Sequence, residues 1–104
     1  TDPFLEENAD TDNWFLQIET FDPHEPFFTQ PDWQSLYPEL AEYTGNKTDW
    51  PGYDPVRPQE TQEDIVYVRR LYAALTSMCD FYLGKVLDCM DKHDLWKDTM
   101  LIVN

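Results

Sequence analysis

Apolar and polar positions along the chain fall into four distinct patterns. From Ile65 onward, Ile65, Val68, Tyr72, Leu75, Cys79, Tyr82, Val86 and Cys89 recur at alternating spacings of three and four, which marks one face of an α-helix. Leu71, Met78, Leu83, Leu87 and Met90 widen that face. Thr61-Gln62-Glu63-Asp64 supplies a start signal, a hydroxyl to accept from an orphan amide with acids in the first turn. Lys92 and His93 place positive charge at the negative end of the dipole. The spacing predicts a helix over 61–93, a rod about 45 Å long. Such a stripe marks a core-facing surface rather than a cofactor site.

Ahead of it, Trp14-Phe15-Leu16-Gln17-Ile18 is nearly continuous in apolarity and is stopped by Asp22-Pro23, so residues 14–20 read as a strand covered on both faces. Thr99-Met100-Leu101-Ile102-Val103-Asn104 reads the same way, giving a second strand over 99–104. Between the first strand and the helix, residues 22–60 hold seven of the eight prolines and two of the three glycines, with no sustained period. A loop that long is functional or disordered as a rule. Its interleaved Phe27, Phe28, Trp33, Leu36, Tyr37, Leu40, Tyr43 and Tyr53 predict one packed onto a scaffold, with a short helix around Trp33 to Tyr43.

Strand, crossover with a helix, then strand makes two parallel strands if they share a sheet. The expected fold class is therefore α/β, a partial parallel or mixed sheet with one long crossover helix. That helix is too little cover for a sheet buried on both faces. Residues 1–104 accordingly read as an internal fragment of a larger α/β domain. In such sheets ligands bind beyond the carboxyl ends of the strands, where Asp22 to Pro26 and Asn104 fall.

Charge narrows the partners. Residues 1–64 carry 16 acids and 2 bases, whereas residues 65–104 carry 5 of each, so the net charge of −14 belongs to the front of the chain. Such a surface repels phosphate backbones and anionic lipid, and no nucleic-acid or membrane partner is expected. No run reaches the roughly 18 apolar residues of a membrane span. Cys79 and Cys89 lie about 15 Å apart along the expected helix, beyond disulfide reach, and read as reduced core cysteines. A cytoplasmic chain is the expectation, with secretion or the periplasm left open by a removed leader. Asn46-Lys47-Thr48 fits the N-glycosylation pattern, which matters only on export.

Two blocks resemble a known family. Arg70-Leu71-Tyr72-Ala73-Ala74, Asp80, Leu83-Gly84-Lys85-Val86-Leu87-Asp88 and Asp94-Leu95-Trp96-Lys97-Asp98-Thr99-Met100-Leu101-Ile102-Val103 are similar to the sulfatases of the alkaline phosphatase superfamily. Phe15 to Phe27, with the turn Asp22-Pro23-His24-Glu25-Pro26, resembles that family's strand followed by its Asp-Pro-His-x-Pro turn. The resemblance implies a piece of an alkaline-phosphatase-like sandwich. It also implies a parent that hydrolyses sulfuric esters, on a small molecule or a sulfated glycan, with a formylglycine and a divalent cation, calcium in most members.

These residues lack that equipment. Cys79 and Cys89 stand outside any Cys/Ser-x-Pro/Ala-x-Arg motif, and no metal ligand or cofactor site is expected among residues 1–104. The fragment by itself is expected to be inactive. What matches a family site position is His24, whose imidazole would contact the substrate sulfate, held by flanking prolines that restrict the backbone. Without the resemblance, His24 reads as a solvent-facing turn residue.

Asp22 reads as a turn cap rather than a ligand, and Asp80 as a buried helix residue bonded to a loop. Gly84 reads as a point of close approach for a neighbouring element, and His93 as a helix-end residue. Trp33 and Trp50 read as packing residues, with a sugar- or aryl-stacking role as the alternative. Competing functions are a phosphodiester or phosphonate ester hydrolase of the same superfamily, and a non-catalytic acidic module that takes a basic partner on residues 1–64. Apolar strand faces left open also predict self-association.

Overall fold

A computed structural model describes residues 2–104. In order, its elements are α1 (Pro3–Asn8), α2 (Pro31–Gln34), α3 (Glu39–Glu42), α4 (Gln62–Lys92) and a 3-10 turn at Leu95–Lys97. The chain forms two compact units, one from residues 1–19 and 81–104, the other from residues 20–80. α4 matches the helix expected over 61–93 to within a residue at each end.

A reciprocal cap fixes where α4 starts. The Asp64 amide donates to Thr61 Oγ1 at 3.2 Å, and the Thr61 amide donates to Asp64 Oδ2 at 2.8 Å. Two orphan donors at the first turn are satisfied by one Thr/Asp pair. Asp2 caps α1 in the same spirit, accepting from the amides of Phe4 and Leu5, with Pro3 preset for the first helical position.

In the unit of residues 20–80, Leu71, Ala74 and Leu75 of α4 are buried together with Leu40 of α3 and Thr29. The expected single helix from Trp33 to Tyr43 is instead two one-turn helices, α2 and α3, split at Pro38. Prolines Pro31 and Pro38 each begin a turn but cannot sit inside a continuous one. In the other unit, Leu5, Cys89, Met90 and Leu95 form a buried cluster against which Phe4, Ala9, Trp14, Leu16 and Val86 pack. Phe4 and Trp14 meet edge to face at 5.8 Å, and Lys92 pairs with Glu6 at 3.3 Å.

The expected α/β class is overturned: among the described residues every regular element is helical, and there is no strand or sheet. Residues 14–20 and 99–104 carry no assigned secondary structure. The physical reason is visible in residues 14–16. Trp14 and Leu16 turn onto the Leu5 cluster while Phe15, between them, is 84% exposed, so the two-residue period exists without a neighbouring backbone to pair with. A strand is defined by its ladder, and two short strands alone are marginal in water. The apolar side chains serve helix packing instead.

Two outcomes follow. Leu75 is fully buried, so Leu75→Ala is expected to cost about 2–5 kcal/mol of stability, measured by urea unfolding followed by circular dichroism. Phe15, Ile18, Met100, Ile102 and Val103 are exposed on unpaired backbone, and the chain is expected to self-associate through them. Sedimentation over a concentration series should show this, with Ile102→Lys reducing it; a concentration-independent monomer would refute it.

Candidate functional site

The turn that carries His24 is built by local restriction. Pro23 and Pro26 fix φ on either side of the imidazole, and both of their preceding peptide bonds are cis. The His24 amide donates to Phe21 O at 3.2 Å, and the hydroxyl of Thr20 donates to Asp22 O at 3.2 Å. The turn is joined to the rest of its unit just after Pro26. There the Phe27 amide donates to Asp49 O at 2.7 Å, and the Phe27 ring meets Tyr72 of α4 edge to face at 5.3 Å.

His24 is exposed, and its geometry decides which ring nitrogen faces outward chemistry. Nδ1 lies 2.8 Å from the Glu25 carbonyl oxygen. A carbonyl only accepts, so Nδ1 carries the hydrogen. Glu25 Oε2 is 3.4 Å from the same nitrogen, and the Phe21 ring lies against the imidazole at 4.7 Å. Nε2 is left without a hydrogen-bond partner. In the neutral ring it is an acceptor; in the imidazolium it is a charged donor. Only the imidazolium can donate to an anionic oxygen. Glu25 is mostly covered, and its Oε1 is buried without a hydrogen-bond partner, so the carboxylate is spent largely on holding the ring.

Asp22 lies in the turn before Pro23, but its carboxylate makes no hydrogen bond, so the expected side-chain cap is not formed; only its carbonyl is engaged, by Thr20. Its charge, second to burial, holds the half-buried Cys79 thiol above the ordinary range, which disfavours a reactive thiolate. Cys89 is buried, and both cysteines are free. Among the described residues no group of three or more His, Cys, Asp and Glu side chains is arranged to hold a metal ion. The Cys/Ser-x-Pro/Ala-x-Arg motif that a formylglycine requires does not occur among residues 1–104.

Other singled-out residues are placed differently from expectation. Asp80 is exposed, not buried, and its carboxylate makes no hydrogen bond or ion pair. It lines an open cleft with Trp33, Tyr37 and Tyr72. A Cβ added at Gly84 would meet nothing within 4 Å, so no element approaches there; the close approach is at Gly45, where an added Cβ would collide with the Tyr43 ring. His93 follows α4, as expected of a helix-end residue, with Nε2 buried and unpartnered. Trp50 is exposed.

Reading of single residues missed the pin between the long loop and α4. Tyr43 donates a short hydrogen bond to Asp64, stacks on Tyr67 at 4.4 Å, and packs over Gly45. Burial, then donation to Asp64, pushes the Tyr43 hydroxyl from its ordinary 10.0 up to about 12. The same bond, followed by the Thr61 amide, holds the Asp64 carboxyl below the usual carboxylate range. Burial and the charge of Asp49 raise Tyr67. An aromatic at the end of α3, a glycine two residues on and the acid of a capping box form the only trace of this in the sequence.

A family profile described as Sulfatase matches residues 1–103. No curated protein matches the chain, and no solved structure matches it.

The pin sets the pH response at both ends. A lowered Asp64 favours the fold at pH values above the unfolded carboxylate range, and that gain is lost as pH falls through the lowered folded value. A raised Tyr43 favours the fold below the unfolded tyrosine value, and that gain is lost as pH rises through about 12. In Tyr43→Phe the Asp64 carboxyl is expected to titrate closer to its ordinary range, followed through the side-chain carbon resonance. An unmoved Asp64 would show that Tyr43 does not hold it.

Proposed function

The chain belongs to the sulfatase family, and we propose that it forms part of the catalytic domain of a sulfuric ester hydrolase in which His24 contacts the sulfate group of the substrate. The observation that carries this reading is the His24 turn: on an exposed ring, Nδ1–H is engaged by the Glu25 carbonyl, and Nε2 has no hydrogen-bond partner. In the charged form Nε2–H is a donor that can bind a sulfate oxygen through a charge-assisted hydrogen bond. The ring reaches that state by taking up one proton, since Nδ1 already holds its own.

As substrate reacts, negative charge builds on the bridging oxygen of the leaving group. A fixed imidazolium can stabilise that charge or supply a proton to it. Flanking prolines limit the backbone freedom that would otherwise be lost on binding. The nucleophile and the cation that the family uses would come from residues other than these. The substrate class proposed is a sulfate ester of a small molecule or a sulfated glycan.

The test belongs in the protein that carries the complete catalytic domain. His24→Ala is expected to lower kcat/KM on an aryl sulfate by about 10²–10⁴-fold, and His24→Gln, which keeps a neutral donor, to recover part of the loss. An unchanged kcat/KM in His24→Ala would remove the assignment.

A further inference from the structure

A cleft of about 640 Å³ opens between α2 and the middle of α4, lined by Trp33, Tyr37, Tyr72, Thr76, Ser77 and Asp80 among others. Its hydrogen bonds have a definite polarity. The Thr76 hydroxyl donates to the Tyr72 carbonyl at 2.9 Å, and the Ser77 hydroxyl donates to the Ala73 carbonyl at 2.9 Å. Ser77 Oγ lies 3.1 Å from the Tyr37 hydroxyl, and because the serine hydrogen is already committed, Tyr37 is the donor in that pair. Asp80 has no hydrogen to give. Four polar groups in the cleft can therefore only accept, against at most the Tyr72 hydroxyl and the Trp33 indole nitrogen as donors.

Aromatic faces complete the picture. Tyr72 is 45% exposed, and its ring is held by an edge-to-face contact with Phe27 at 5.3 Å. The unit of residues 20–80 carries eleven acids and four bases, so its field attracts cations. Anions find few donors here, and a sugar would leave its own oxygens without partners. A planar cation with several N–H groups matches the surface on every count: it stacks on aromatic rings and donates to dispersed acceptors. A lysine ammonium, compact and strongly hydrated, matches less well.

We propose that this cleft docks an arginine side chain of a partner polypeptide, with the guanidinium on the Tyr72 ring and donating to Asp80 and Thr76. This is a surface separate from the His24 turn, and the proposal stands whether or not His24 contacts sulfate.

The probe is a short peptide alternating arginine and glycine, titrated calorimetrically, with citrulline and lysine versions as controls and amide and indole resonances locating the contact. Expected results are saturable binding of the arginine peptide, perturbation centred on Trp33, Tyr72 and Asp80, and affinity about tenfold lower for the neutral citrulline peptide. Asp80→Asn should weaken the arginine peptide by a similar factor; Asp80 makes no hydrogen bond or ion pair, so the fold is retained. Glu7→Gln, an exposed acid that does not line the cleft, should change affinity less than twofold, on the order expected of a salt-screened surface charge. Equal binding of the citrulline peptide, equal losses in Asp80→Asn and Glu7→Gln, or no saturable binding would each overturn the proposal.

Discussion

One buried stripe, Leu71 with Ala74 and Leu75 on α4, is the constraint on which the residue 20–80 unit depends. Residues 22–60 contain seven prolines and cannot build a continuous ladder or a long helix of their own. A segment that cannot satisfy its backbone through regular structure must be fixed by side chains, and those side chains need a rigid surface to land on. α4 is that surface. Tyr37 reaches Ser77, Tyr43 reaches Asp64, Phe27 reaches Tyr72, and Glu39 pairs with Arg70 at 4.0 Å. The exposed Glu39–Arg70 pair adds little by itself. The aromatic contacts carry the attachment, because each buries large apolar area and several also place a polar tip.

The same logic explains why a turn rich in prolines can present chemistry. Pro23 and Pro26 fix the backbone around His24, the Glu25 carbonyl fixes the ring, and Phe21 covers one side of it. What remains free is one nitrogen. A flexible loop would have to order the imidazole at the moment of binding, whereas here most of that ordering is already done in folding.

Helix boundaries were legible in the sequence wherever the deciding interaction was local. Thr61 and Asp64 announce the start of α4 within four residues, and Asp2-Pro3 carries the same kind of local cap-and-proline signal for α1. The apolar stripe of α4 was legible only in outline: Leu75 and Cys89 are buried, yet Tyr72 and Tyr82 on the same stripe are exposed, because what covers each position is set by distant chain. Strands failed for that reason in stronger form. Apolar runs at 14–20 and 99–104 have strand character, but pairing is a property of two segments, and neither run contains information about whether a partner is there. For the site, His24 was marked by its unusual turn, while the cleft was not readable at all. Asp80 sat on a helical pattern that assigned it to the interior, and only the arrangement of α2 against α4 shows it facing solvent.

The proposed sulfate contact and the acidic surroundings of His24 impose a requirement on each other. Eleven acids against four bases in residues 20–80 produce a field that opposes the approach of any anion. One imidazolium, exposed to solvent and already paired with Glu25, offsets that field only at short range, since charges in a high-dielectric setting interact weakly beyond a few ångströms. A sulfate ester bound at Nε2 therefore needs further positive charge close to the sulfur, more than these residues supply. In the proposed sulfatase reading, a divalent cation held by other residues would supply that charge. On that view the acidity of this segment has a use: a surface hostile to anions everywhere except beside a concentrated positive centre favours substrates that reach the centre and disfavours diffuse anion binding elsewhere.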